Sequence, residues 1–202
     1  MTVTFHKEAV ELLGKKLDSI MEGEAACTEE HQPLKGMILG GFALQAICDS
    51  YGVKVPRKTK DIDLYTPDAR TIMSEDVAIS PTGARIQLTP DFHAELFDWI
   101  SGMDHDGFLE DKILNGLESN NFQRAYESKF VKLYIPTPEI FVANKLFAYR
   151  GQTSREKDLK DVGTLVSVLK KEDASALEEI SAIVKHYGLE KEYKLALKYC
   201  KE

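Results

Sequence analysis

Asp61 and Asp63 stand two residues apart in KTKDIDLY, Lys58 to Tyr65. Their alternation with Ile62 and Leu64 predicts a strand, and side chains two apart on a strand point the same way. Two carboxylates on one face repel each other, and burial worsens the repulsion. The pair therefore calls for a positive charge between them. Magnesium is one such charge: it takes oxygen ligands and keeps several waters, so a few carboxylates suffice. Twenty residues upstream, Gly40-Gly41 closes a short apolar run before a helical stretch. Such a turn lets backbone approach a phosphate closely, and the helix start offers N–H groups and a partial positive charge. Each feature alone has a plainer reading: an acidic strand end for the DxD, and an ordinary helix-start turn for the glycines.

The elements that must position these residues follow from period and punctuation. Ala9, Leu12, Leu13, Leu17 and Ile20 form a helical stripe within Phe5 to Met21. A polar break runs from Gly23 to Pro33. Lys35 to Leu39 reads as a buried strand, and FALQAICDSYG as a helix stopped by Gly52. Val55 to Lys60 is a basic loop before the DxD strand. Short strands are expected near 77–79 and 84–88, parted by Pro81 to Gly83, and another over HAELFDWI, His93 to Ile100. Residues 108–128 fit a short helix or a hairpin arm. Phe130 to Ile135 alternates as a strand, and Pro138 suits the first turn of a helix over Glu139 to Arg150. Three more helices are expected at about 155–169, 173–187 and 190–201. The layout is an α+β fold: a mixed β-sheet with flanking helices over residues 1–136, and a C-terminal helical subdomain over 137–202.

The chain has 202 residues, 43% of them hydrophobic, and a formal net charge of -7. A core is affordable and wholesale disorder is excluded. A strongly basic nucleic-acid binder would look different, so any RNA contact needs a local patch. Cys27, Cys48 and Cys200 are odd in number and make no CxxC pair, which argues against a disulfide framework or a zinc site and fits a cytoplasmic setting. No run of 18 apolar residues occurs, so no membrane partner is expected. His93 and the Asp104-His105-Asp106 triplet lack a second ligand cluster at metal-site spacing and read as solvated loop. Trp99 and Tyr149 read as packing residues.

Two segments together, GGFAL (Gly40 to Leu44) and RKTKDIDL (Arg57 to Leu64), resemble the polymerase-beta-like nucleotidyltransferases. Downstream, PEIFVANKLFA (Pro138 to Ala148) and KDLKD (Lys157 to Asp161) resemble the minimal members of that superfamily, among them the AbiEii-type toxins. The likeness spans roughly residues 35–169. It implies a nucleotidyltransferase-type sheet. It also implies transfer of a nucleoside monophosphate from a nucleoside triphosphate to a hydroxyl on RNA, protein or a small molecule. Two Mg²⁺ or Mn²⁺ ions would hold the attacking and leaving oxygens.

In this resemblance Asp61 and Asp63 bind both metals, and a third carboxylate on an adjacent strand binds one. Asp98 is the choice, because in relatives the third acid precedes two apolar residues. Glu95 is the competitor: it shares a strand face with Phe97 and Trp99, while Asp98 shares the other with Leu96 and Ile100. Gly40, Gly41, Arg57, Lys145 and Lys157 would hold the triphosphate, and Asp158 would orient Lys145. The family turn carries Ser or Thr after the glycine. Here Phe42 stands there, which leaves backbone contacts. Without the resemblance, Lys145 is a solvated helix lysine and KDLKD a surface ion-pair ladder, worth about 0.3–0.5 kcal/mol per pair. The rival function is a binding or regulatory module that keeps the fold without catalysis. The toxin-like relatives add a third reading, in which a cognate antitoxin masks the site.

Overall fold

A computed structural model describes residues 6–25, 32–55, 59, 61–67, 72, 77–80, 83–97 and 108–200. The fold is α+β. Among the described residues seven strands form one mixed sheet: β1 (Leu34–Ile38), β2 (Asp61–Tyr65), β3 (Val77–Ser80), β4 (Gly83–Thr89), β5 (Phe92–Phe97), β6 (Gln123–Glu127) and β7 (Val131–Ile135). Their order is β3-β4-β5-β2-β1-β7-β6. The pairs β1–β7 and β2–β5 are parallel, and β1–β2, β3–β4, β4–β5 and β6–β7 are antiparallel.

Among the described residues seven α-helices accompany the sheet: α1 (His6–Ala25), α2 (Gly40–Ser50), α3 (Phe108–Ser119), α4 (Pro138–Gly151), α5 (Glu156–Glu172), α6 (Ala174–His186) and α7 (Glu190–Ala196). The apolar stripe of α1 is buried at Ala9, Leu13, Leu17 and Ile20, and the helix packs on β6 and β7. Gly14 sits flat on the Tyr126 ring, where a Cβ would come within 2.5 Å. Helix α2 is buried from Gly40 to Cys48 and touches α1, β2, α4 and α5. Its apolar surface all round marks it as the central core helix.

The segment that fits either helix or hairpin contains both: α3 and then β6, joined through Asn120 at φ 55°. Pro138 occupies the first turn of α4, as its fixed φ allows. Asp173 caps α6 by accepting from the Ala176 N–H at 3.2 Å. Helices α4 to α7 pack on one another, and Gly163 of α5 lets the Ala196 carbonyl approach to where a Cβ would lie 2.7 Å away. Among the described residues no helix is long and apolar enough to cross a membrane.

Alternation decides which sheet face carries chemistry. On β2, Ile62 and Leu64 are buried and Asp61 and Asp63 partly open. On β5, Phe92, Ala94 and Leu96 are buried, and His93, Glu95 and Phe97 partly open. Because β2 and β5 are parallel and in register, their buried residues match row by row and so do their polar ones.

Candidate functional site

The site begins where β1 ends. Ile38 pairs with Leu64, so the chain leaving β1 runs beside Asp63, and the Leu39 N–H donates to the Asp63 carbonyl at 2.7 Å. Gly40 follows with φ +64° and opens α2. A Cβ there would lie 2.0 Å from Asp63 Oδ2. Two independent constraints, a left-handed backbone and a carboxylate in the way, thus demand glycine. The N-cap residue Leu39 has no side chain that can cap the start of α2. Gly41 and Phe42 are buried in it, and the Phe42 ring meets Phe92 edge-on at 5.9 Å. The Phe42 side chain therefore points into the core.

Asp61 accepts from the Thr59 hydroxyl at 2.9 Å. Across the parallel pair, Asp61 lies opposite His93 and Asp63 opposite Glu95. One strand further, Arg85 faces Glu95 and Gln87 faces His93. Arg85 Nη2 holds Glu95 Oε1 at 2.6 Å, and His93 Nε2 stands 3.3 Å from the same oxygen.

On the helical side, Lys145 of α4 is 5% exposed and Asp158 of α5 is fully buried. Lys145 Nζ donates to Asp158 Oδ1 at 2.8 Å and lies 3.3 Å from Asp161 Oδ2. Arg155 Nε donates to the other Asp158 oxygen, Oδ2, at 2.6 Å. Asp158 therefore bridges two cations through its two oxygens.

Asp63 connects these halves electrically. Burial raises its pKa above the ordinary carboxylate value, and the negative charge of Asp61 pushes it further up, as does that of Glu95. Lys145 and Arg155 pull the other way without cancelling the rise. The charges that act on Asp63 among the described residues are the carboxylates of Asp61 and Glu95 and the cations of Lys145 and Arg155. A buried carboxylate beside two others favours a cation among them.

The donors fit magnesium in type: they are hard carboxylate oxygens on one sheet face. Among the described residues no three His, Cys, Asp or Glu side chains converge closely enough to hold a metal as they stand, and Glu95 is occupied by Arg85. Two carboxylates are nonetheless enough for a magnesium ion that also takes water and substrate oxygens.

The structure thus brings together Gly40, Gly41, Asp61 and Asp63 at one corner of the sheet, and Lys145 and Asp158 in one buried ion cluster. Lys157 is exposed on α5, one residue before Asp158. Asp98 and Arg57 lie outside the described residues. Sequence reading missed Arg155, Arg85 and Thr59. Arg155 had one local signal, its position three residues before Asp158 at a helix start. A cavity of about 280 Å³ between α3 and α6, lined by Phe108, Lys112, Glu179, Ala182, Ile183 and His186, contains none of these groups.

Neither a protein-family model nor a curated protein matches the chain. A solved structure of an antigenic nucleotidyltransferase-like protein from Paracoccidioides brasiliensis is similar at 18% identity with a TM-score of 0.44, covering 96% of this chain and 95% of that one.

Proposed function

We propose that the chain is a metal-dependent nucleotidyltransferase that moves a nucleoside monophosphate from a nucleoside triphosphate to a hydroxyl. The observation that carries this reading is the contact of Gly40 with Asp63, beside Asp61 on the same face. It joins a glycine turn at a helix N-terminus to a pair of carboxylates, which is the combination nucleotidyl transfer needs.

Asp61 and Asp63 would hold Mg²⁺ or Mn²⁺, which supplies charge neutralisation at the reacting phosphate. Glu95, in register with Asp63, is the third carboxylate, once Arg85 releases it. Gly40 and Gly41 present backbone N–H groups to the triphosphate. Lys145 adds positive charge near Asp63, and Asp158 fixes its ammonium. The acceptor hydroxyl belongs to RNA, protein or a small molecule, and in the toxin-like variant of this reading a small antitoxin covers the site.

The test is incubation of the full chain and Asp63→Asn with labelled triphosphates, Mg²⁺ or Mn²⁺, and a pool of total RNA and lysate. Label transfer by the wild type that Asp63→Asn abolishes supports the proposal. Transfer that survives the substitution removes the metal assignment. The second reading, a nucleotide-binding module without catalysis, is favoured by the Arg85–Glu95 pairing. Saturable triphosphate binding with no transfer to any acceptor would select it.

A further inference from the structure

We infer that Arg155 is a phosphate receptor: its guanidinium, anchored by Asp158, clamps the terminal phosphates of the nucleotide. The inference rests on the nucleotidyltransferase reading and adds a residue to it. Arg155 lies just before α5, with its side chain 39% exposed. Its one side-chain hydrogen bond among the described residues uses Nε, at 2.6 Å from Asp158 Oδ2. Among the described residues the terminal nitrogens, Nη1 and Nη2, make none. A guanidinium that spends one edge on a buried anchor keeps a planar pair of donors for an outside anion, and this geometry matches phosphate bidentately.

The anchor is unusually fixed. Asp158 has no exposure, and its second oxygen is held by Lys145, itself tied to Asp161. Holding Arg155 in place before a ligand arrives lowers the entropy cost of clamping it. Its charge also reaches Asp63, so the fork lies within electrostatic range of the carboxylate pair. A phosphate chain bridging from the α2 start would meet a cation there rather than another acid.

Binding to the full chain is read by calorimetry with ATP, ADP, AMP and inorganic tripolyphosphate, each with Mg²⁺, for wild type, Arg155→Gln and Arg155→Lys. Arg155→Lys keeps an ion pair to Asp158 and so guards against loss of fold, which circular dichroism checks. The expectation is a loss of about 10- to 100-fold in ATP and tripolyphosphate affinity in both variants, the range of one or two charge-assisted hydrogen bonds, with AMP unchanged. ATP affinity unaltered in both variants overturns the inference and leaves the nucleotidyltransferase reading standing. Arg155-dependent tripolyphosphate binding with no nucleotide binding keeps the receptor and discards the nucleotide. Absence of binding by the wild type to every probe overturns both.

Discussion

Gly40 and Asp63 occupy space that a single extra carbon would contest: a Cβ on the glycine would stand 2.0 Å from the aspartate's Oδ2. The relationship makes a backbone turn and a catalytic candidate mutually dependent. Gly40→Ala is expected to destabilise the fold through both the left-handed backbone and the clash, by about 1–3 kcal/mol. In an Asp63→Ala background the clash term disappears and the backbone term stays. Urea midpoints of the two singles and the double give the coupling. Additive effects would mean that the two residues do not meet.

Asp63→Asn is expected to raise stability while it removes activity. The raised pKa of Asp63 means that its ionised form is disfavoured in the folded state. Its contribution is present in full below the ordinary carboxylate pKa and is lost as pH rises through the raised value. The wild-type melting temperature, minus that of Asp63→Asn, should therefore fall with rising pH in the presence of EDTA. Saturating Mg²⁺ should reverse the order at neutral pH, because the metal stabilises the folded wild type in proportion to its occupancy. A difference independent of pH would show that Asp63 is solvated.

Lys145 holds two buried carboxylates, so its loss leaves Asp158 to Arg155 and takes the ammonium away from Asp161. Lys145→Met is expected to cost about 3–5 kcal/mol, the range for removing one partner of a buried ion pair. Asp161→Asn keeps the Lys145–Asp158 bond and should cost less. Thermal melts separate these outcomes at about 2–4 °C per kcal/mol for a chain of this size. Equal and small effects would place the cluster in solvent.

In the proposed site Arg85 would compete with a metal ion for Glu95. Arg85 is half exposed, so Arg85→Gln should change stability by at most about 1 kcal/mol. Freed of its partner at 2.6 Å, Glu95 would bind more readily alongside Asp63. Mn²⁺ titration followed by electron paramagnetic resonance is expected to show tighter binding in the variant, by about tenfold for each 1.4 kcal/mol of competition removed. Weaker binding would identify Arg85 as a support of Glu95 rather than a rival for it.

Gly163 sets how closely the chain's last turns approach α5. A Cβ there would lie 2.7 Å from the Ala196 carbonyl oxygen and 2.8 Å from Tyr199 Cβ. Backbone cannot swing aside as a flexible side chain can, so Gly163→Ala should cost about 1–3 kcal/mol by overpacking. Hydrogen exchange should localise the loosening to α7 and the 3₁₀ turn Leu197–Tyr199.

Local pattern was enough to find most elements. The stripe of α1, the alternation of β2 and β7, the proline in the first turn of α4 and the glycine after α2 are each decided by neighbours in the chain, through side-chain period and backbone freedom. The same locality exposed the Asp61–Asp63 pair and the two glycines. Residues 108–128 resisted, since a helix followed directly by a strand mixes two periods.

What the sequence could not supply was register. On β5, alternation separates Glu95 from Leu96 but does not say which face meets Asp63; the parallel pairing of β2 with β5 puts Glu95 opposite it. Beyond its spacing from Asp158, Arg155 offered little to read, for a related reason. An arginine before a helix has no period to betray it, and its meaning comes from a buried carboxylate whose other oxygen is held by a lysine on a different helix. Residue types and their spacing thus fixed which groups were available for chemistry. Strand order and helix docking decided which of them share a field, because electrostatic coupling depends on distance through space and not along the chain.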